Sequence, residues 1–292
     1  MPEARRGKKA PQVPPRVLAR LARAKGYVTD MDGTLVLGDR HNKGIRPLPG
    51  ALEFITWLQQ RKLPFVLYTN GTTRTPLQYA QILQSVGFNV SEANLMTPAS
   101  SAVDVFVRRG YRSVMVLGGE GLKRPLADVG MAIVPPSGRT AADAVLVGWF
   151  REFTMNEIEP AVYAVWGGAK LYSCSQSLFF ASADGKTLGT SRAISAMIRD
   201  LTGARIHIVG KPSLAALGSA GRRLGVRLRD LAVIGDDPSL EIAMAHRGHS
   251  LAIAVNTGIG DADAFAGLPA KKRPHLTVHS IAELLSICRT PD

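Results

Sequence analysis

Cysteine is scarce in this 292-residue chain. Cys174 and Cys288 stand 114 residues apart, a count and spacing that support neither a disulfide framework nor a cysteine-rich metal site. No stretch approaches the 18 apolar residues in a row that a membrane helix needs. The first residues, MPEARRGKKAPQVPPR, lack the apolar centre of a secretory leader. Several chemical motifs are also missing. There is no GxxxxGK[ST] loop, no GxSxG elbow and no HExxH pair. GGEG at 118–121 is not a GxGxxG loop. His246 and His249 share a helical spacing, but Gly248 between them favours a solvated helix end over a metal pair. What remains, at 46% hydrophobic and 20% charged residues, is the composition of a globular protein with a real core. The chain reads as soluble and cytoplasmic.

The net charge of +13 is unevenly spread. Residues 1–25 hold eight of the 36 basic residues against one acid, Glu3, and so contribute +7. Residues 1–16 read as a basic, flexible arm. It has no aromatic before Tyr27 and carries Pro11, Pro14 and Pro15, so a solvated arm is expected rather than a specific nucleic-acid contact. Lys271-Lys272-Arg273 before Pro274 reads as a basic loop. A basic surface favours anionic substrates kinetically.

From Val17 onward, apolar runs alternate with helical patterns. Short strands are expected at Tyr27–Thr29, 64–71, 113–119, 143–149, 169–175, 206–213, 231–237 and 250–258. Helices are expected between them, for example over ALEFITWLQQRK, with Leu52, Ile55 and Leu58 on one face. This alternation predicts an α/β protein with doubly wound parallel sheets. In such sheets ligands bind beyond the C-terminal ends of the strands, at a topological switch point. Chemistry is therefore sought where each apolar run turns polar.

Four of those ends carry Asp30 and Asp32, then Thr69-Asn70-Gly71, then Lys211, then Asp236-Asp237. Converging carboxylates repel unless a cation or a lysine joins them. Mg²⁺ needs only one or two carboxylates beside water and a substrate phosphate, and an aspartate can itself attack phosphorus. The set points to metal-assisted phosphoryl transfer. Each part alone has a plainer reading: Asp-Gly and Asn-Gly form turns, Asp236-Asp237 can cap a helix, and Lys211 before Pro212 suits a surface. The inference rests on all four occurring together, in order.

DMDGT at 30–34, YTN at 68–70, GKPS at 210–213 and IGDDPSLE at 234–241 resemble the four motifs of the haloacid dehalogenase (HAD) superfamily. The 142 residues between Thr69 and Lys211 resemble its class IIA branch, in which a large α/β cap is inserted between the second and third motifs. That branch includes NagD-like, p-nitrophenyl phosphatase and pyridoxal phosphatase proteins. VLGGEGL at 116–122 and GTSRAISAMI at 189–198 are similar to its cap. The resemblance implies a Rossmann-like core over 17–110 and 206–292 and a cap over 111–205. It implies Asp30 as the nucleophile, Asp32 as general acid and base, and Thr69 with the backbone of Asn70 and Gly71 as the phosphate cradle. Lys211 would neutralise charge. Mg²⁺ would be held by Asp30, Asp236 and the backbone carbonyl of Asp32, with Asp237 and Glu241 behind them. The implied partner is a small phosphorylated metabolite, and caps of this branch often pair, which admits a homodimer.

Two departures stand out. Leu240-Glu241 replaces the usual Thr-Asp ending of the fourth motif, with one extra methylene before the charge. The cap loop that helps hold the leaving group in the family reads Ser173-Cys174-Ser175-Gln176-Ser177 here and has lost its acid. Cys174 reads as a small cap residue rather than a reactive thiol. The competing readings are carbon–halogen hydrolysis, disfavoured because a halide leaving group needs no acid such as Asp32, and a HAD-fold binding protein whose arm docks on an acidic partner.

Overall fold

The computed structural model describes residues 13–38, 44–182 and 185–290. Most of the expected basic arm lies outside these residues. The first helix begins at Pro15 rather than Val17 and runs to Ala22; proline suits a first turn because its missing N–H would be unpaired there anyway. Among the described residues no helix is long and apolar enough to cross a membrane.

Two large sheets organise the chain. Their strands, in chain order, are β1 (Gly26–Thr29), β2 (Phe65–Tyr68), β3 (Leu95–Met96), β4 (Ser113–Leu117), β5 (Ala132–Val134), β6 (Ala144–Val147), β7 (Lys170–Ser173), β8 (His207–Ile208), β9 (Leu231–Gly235), β10 (Leu251–Val255) and β11 (Leu276–Val278). The first sheet has the order β11-β10-β9-β1-β2-β3 and the second β8-β7-β6-β4-β5. Every pairing in both is parallel. Strands β1, β2, β9 and β10 are buried along their whole length, as expected where helices cover both faces of a sheet.

Local sequence explains where the helices start and stop. Pro76–Ser85 opens on a capping box in which Thr75 and Gln78 each bond the other's backbone N–H. Thr190–Thr202 and Leu214–Leu224 both end on a left-handed glycine, Gly203 and Gly225, the conformation that glycine adopts without steric cost. In Ala51–Gln60 the buried face is Ala51, Phe54, Ile55 and Leu58, with Leu52 at its margin. Phe54 and Trp57 stack, and Tyr27 of β1 meets both edge-on.

The chain winds outward from β1 through β2 to β3. After the second sheet it returns on the other side through β9, β10 and β11. The switch point lies between β1 and β9, where Gly26 to Thr29 pair with Leu231 to Ile234. The short run at 207–208 is expected to belong with the first body. Instead it pairs with Tyr172 and Ser173 of β7, so the second sheet extends past residue 205. The helix expected between the strands at 231–237 and 250–258 begins as a π-helical turn, Pro238–Ile242, before Ala243–Arg247.

Candidate active site

Parallel strands β1 and β9 lie side by side, so the residues that follow them meet. Asp30 follows β1 and Asp236 follows β9, and both are buried. The Thr34 hydroxyl stands between them, 3.3 Å from Asp30 Oδ2 and 3.4 Å from Asp236 Oδ1. The Ile259 amide donates to Asp236 Oδ2 at 2.6 Å. Glycines make this crowding feasible: a methyl at Gly258 would overlap Asp236 Oδ2, and one at Gly33 would stand 2.6 Å from the same atom.

Lys211 arrives from the far side of the insertion. Its ammonium is 2% exposed and forms an ion pair with Asp30 Oδ1 and another with Glu241 Oε1 at 2.6 Å. It also donates to the Tyr68 carbonyl at 2.8 Å. Burial by itself would lower the Lys211 pKa, but the carboxylates of Asp30 and Glu241 outweigh it and hold the ammonium above its ordinary value. Burial pushes the Glu241 carboxyl up and Lys211 opposes that push. Glu241 Oε2 accepts the Asp237 amide at 3.2 Å. Both of its oxygens are therefore acceptors, the pattern of an ionised carboxylate. The π-helical turn aims Glu241 inward, and Gly235 clears its path: a methyl there would overlap its side chain. Such turns concentrate at functional sites.

Asp32 opens onto the crevice and is exposed, while protein crowds its remaining sides. That crowding, followed by the charge of Asp30, pushes its carboxyl up to about 7. Thr69 Oγ1 stands 3.3 Å from Asp32 Oδ2 and accepts the Gly71 amide at 3.0 Å. Burial, and then Asp30, also raise Asp236 to about 7. Asp30 raises both Asp32 and Asp236 by charge repulsion, which a cation beside Asp30 and Asp236 would relieve. Among the described residues no group of three or more His, Cys, Asp or Glu side chains forms a metal cage. Mg²⁺ needs none, since it keeps water and substrate oxygens in its shell. The Asp30–Asp236 pair, with its all-oxygen donors, fits that ion.

The structure thus brings Asp30, Asp32, Thr69, Lys211, Asp236 and Glu241 together. It places other expected residues differently. The Asn70 side chain pairs with the main chain of Lys211, accepting its N–H at 2.8 Å and donating to its carbonyl at 3.1 Å. Any phosphate contact at Asn70 therefore falls to its backbone, and the Gly71 amide is already turned to Thr69. The Asp237 carboxylate caps the turn through Ser239, so its link to the site is its main-chain bond to Glu241. Ser173, which ends β7, and Cys174 after it are fully buried, Cys174 in an apolar cluster with Phe106 and Val209. Ser173 Oγ bonds the Ser175 carbonyl at 2.7 Å and takes Gln176 Nε2 at 2.9 Å. Burial raises the Cys174 thiol well above its ordinary range, which suits a packing residue. Ser175 and Gln176 are half-buried and mainly bonded within the loop. The Cys174 carbonyl does press against Gly210, where a methyl would overlap it.

Thr34, the Tyr68 carbonyl and the loop 256–260 are site features that the sequence reading misses. Thr34 lies inside the DMDGT motif, and NTGIG follows the apolar run of β10, so the pattern of polar residues at strand ends could have found both.

Known proteins resemble the chain over most of its length. A family model described as haloacid dehalogenase-like hydrolase matches residues 27–132, and a HAD-hydrolase-like model matches 208–284. The acid sugar phosphatase of Staphylococcus epidermidis is 27% identical over 236 residues, covering 80% of this chain and 87% of that protein. The 5'-nucleotidase YutF of Bacillus subtilis is 26% identical over 254 residues, covering 87% and 91%. Among solved structures, NagD from E. coli K-12 superposes with a TM-score of 0.77 at 25% identity, over 89% of this chain and 98% of that one. With both halves of the site matched and a second α/β body inserted between them, the chain belongs to the haloacid dehalogenase-like hydrolases, as one of their capped phosphatases.

Proposed function

We propose that the protein hydrolyses a small phosphate monoester in two steps, with Asp30 as the phosphoryl acceptor and Mg²⁺ as cofactor. The observation that carries this reading is the position of Asp30 at the switch point, paired with Lys211, beside Asp236 and two residues from an Asp32 of raised pKa.

In the first step an Asp30 carboxylate oxygen attacks phosphorus and the bond to the leaving oxygen breaks. Protonated Asp32 gives its proton to that oxygen, which leaves as an alcohol. In the second step Asp32, now ionised, takes a proton from water. The resulting hydroxide attacks phosphorus, the bond to Asp30 breaks and inorganic phosphate departs. A pKa near working pH suits a group that serves once as acid and once as base. Lys211 holds positive charge against Asp30 and the phosphoryl oxygens throughout. Thr69 orients Asp32. Asp30, Asp236 and the Asp32 carbonyl would hold Mg²⁺, which when bound screens the carboxylates from the phosphate.

The second body would act as the cap, excluding water and setting substrate choice. Sugar phosphates and nucleoside monophosphates are the substrate classes that the relatives' names support. The test is phosphate release from p-nitrophenyl phosphate and a panel of such monoesters, with Mg²⁺ or EDTA, for wild type and Asp30→Asn. Metal-dependent release that disappears in a folded Asp30→Asn variant is expected. More than a trace of turnover in that variant refutes the nucleophile assignment.

A further inference from the structure

The opposite end of the first sheet carries a feature that the phosphatase site does not use. Arg16, Arg20 and Arg23 recur at i, i+4 and i+7 along the helix Pro15–Ala22 and its C-cap, and so form one stripe. The helix contains no acid, and its apolar residues Val17 and Leu21 pack into the core. Arg20 Nη2 donates to the His249 carbonyl at 3.2 Å, which fixes the stripe against the turn before β10. In the helix Ala243–Arg247 before that turn, His246 lies with its ring 5.1 Å from the ring of His275, and its Nε2 is 2.8 Å from the Arg273 carbonyl. The exposed loop residues Lys271, Lys272 and Arg273 therefore adjoin the same face. None of these six cations forms an ion pair among the described residues. The sequence before residue 13 adds Arg5, Arg6, Lys8 and Lys9 against Glu3.

This face lies at the starts of β1, β10 and β11, whereas the catalytic residues follow the ends of β1 and β9. Strands of this length separate the two by about 15 Å. Its charge does not serve the phosphoryl site directly.

We propose that this face binds the phosphate backbone of nucleic acid without reading bases. Four of the six cations are arginines, whose planar fork matches phosphate oxygens two at a time. Leu18 is the one large apolar side chain the helix exposes, and no aromatic stands beside it. A protein partner would need an apolar or aromatic anchor at the centre of the interface, whereas a phosphate backbone needs none. Membrane insertion would require the helix's apolar side, which the core already covers. Without aromatics there is no stacking platform for bases.

The test is fluorescence anisotropy of the full chain with labelled 20-base-pair duplexes of two unrelated sequences. Both duplexes bind with similar affinity at 50 mM NaCl. If six phosphates are neutralised, affinity falls about a thousandfold by 200 mM. A variant combining Arg16→Gln, Arg23→Gln, Lys271→Gln and Lys272→Gln leaves the Arg20–His249 bond in place. It binds at least tenfold more weakly, and its salt slope falls by about 1 for each phosphate that is no longer neutralised. Its melting temperature and its release of p-nitrophenol stay at wild-type values. Deletion of residues 1–12 leaves binding to this face in place. The proposal is overturned by absence of binding at 50 mM, by an unaffected quadruple variant, or by binding that resides wholly in residues 1–12. It is equally overturned if polyglutamate or anionic vesicles bind and the duplexes do not.

Discussion

Replacing Glu241 by glutamine removes one charge with almost no change in shape, which isolates what that charge does. Both oxygens of Glu241 accept bonds, one from Lys211 at 2.6 Å and one from the Asp237 amide at 3.2 Å. Glutamine offers one oxygen and one NH₂, so whichever way it turns, an amide faces a donor. A buried donor left unpaired costs about 1–3 kcal/mol, and losing one partner of a buried ion pair costs about 3–5 kcal/mol. Asp30 and the Tyr68 carbonyl remain on Lys211, which places the total near the overlap, at about 3 kcal/mol. At about 2–4 °C per kcal/mol for a chain of this order, melting should fall by about 6–12 °C. Circular dichroism melts at pH 7 measure this, with Glu241→Asp alongside. Aspartate keeps the charge but falls one methylene short, so it should recover part of the loss. A fall of less than about 2 °C in Glu241→Gln, or an aspartate variant worse than the glutamine one, would refute the claim that an ionised Glu241 holds Lys211.

Asp32→Asn should lower kcat by about 10²–10⁴ on alkyl phosphates and by less on p-nitrophenyl phosphate, whose leaving oxygen needs little protonation. Equal losses on both would remove Asp32 from the acid role. Because the acid must be protonated, wild-type kcat on alkyl phosphates should decline as pH rises through about 7, and a pH profile checks this limb. Gly258→Ala, whose methyl would overlap Asp236 Oδ2, should raise the Mg²⁺ concentration needed for half-maximal activity; an unchanged requirement would show that the loop yields freely. His275 accepts the Ala252 amide through Nδ1 at 2.9 Å. Burial and then the charges of Arg20, His246 and Arg16 lower its pKa from 6.5 to about 4. The unfolded chain takes up a proton there that the fold refuses, so this contribution to stability is present above 6.5 and is lost as pH falls toward 4. His275→Asn can offer Oδ1 to the same amide without titrating, so its melting temperature should decline less over that window; parallel curves would refute this account.

The carboxylates and lysine of the candidate site are legible in the sequence because each follows an apolar run, and strand ends are where a parallel sheet gathers polar groups. Glu241 is legible only as a charge. Its direct pairing with Lys211 depends on a π-helical turn and on the room left by Gly235, which no spacing rule reveals. Ser173 and Cys174 read as the end of a strand and as the start of a loop that holds the leaving group, yet both are buried, Cys174 in the apolar cluster of Phe106 and Val209. Asn70 illustrates a different limit. An Asn-Gly pair announces a turn, but that the amide would bond the backbone of a residue 141 positions away is a tertiary fact. The strand at 207–208 joins the second sheet against expectation, because two residues carry no information about which edge they extend.

The pairing of β1 with β9 also has consequences for synthesis. Gly26 and Leu231 are register partners 205 residues apart. At about 5–20 residues per second, β9 leaves the ribosome about 10–40 s after β1. During that interval β1 can pair with β2, but its other edge stays open, on a strand whose every residue is buried in the finished fold. An open edge of that kind templates association between chains. Truncated products ending within the insertion should therefore be aggregation-prone and catalytically silent, and a ribosome-associated chaperone has a defined strand to shield until the second half of the sheet arrives.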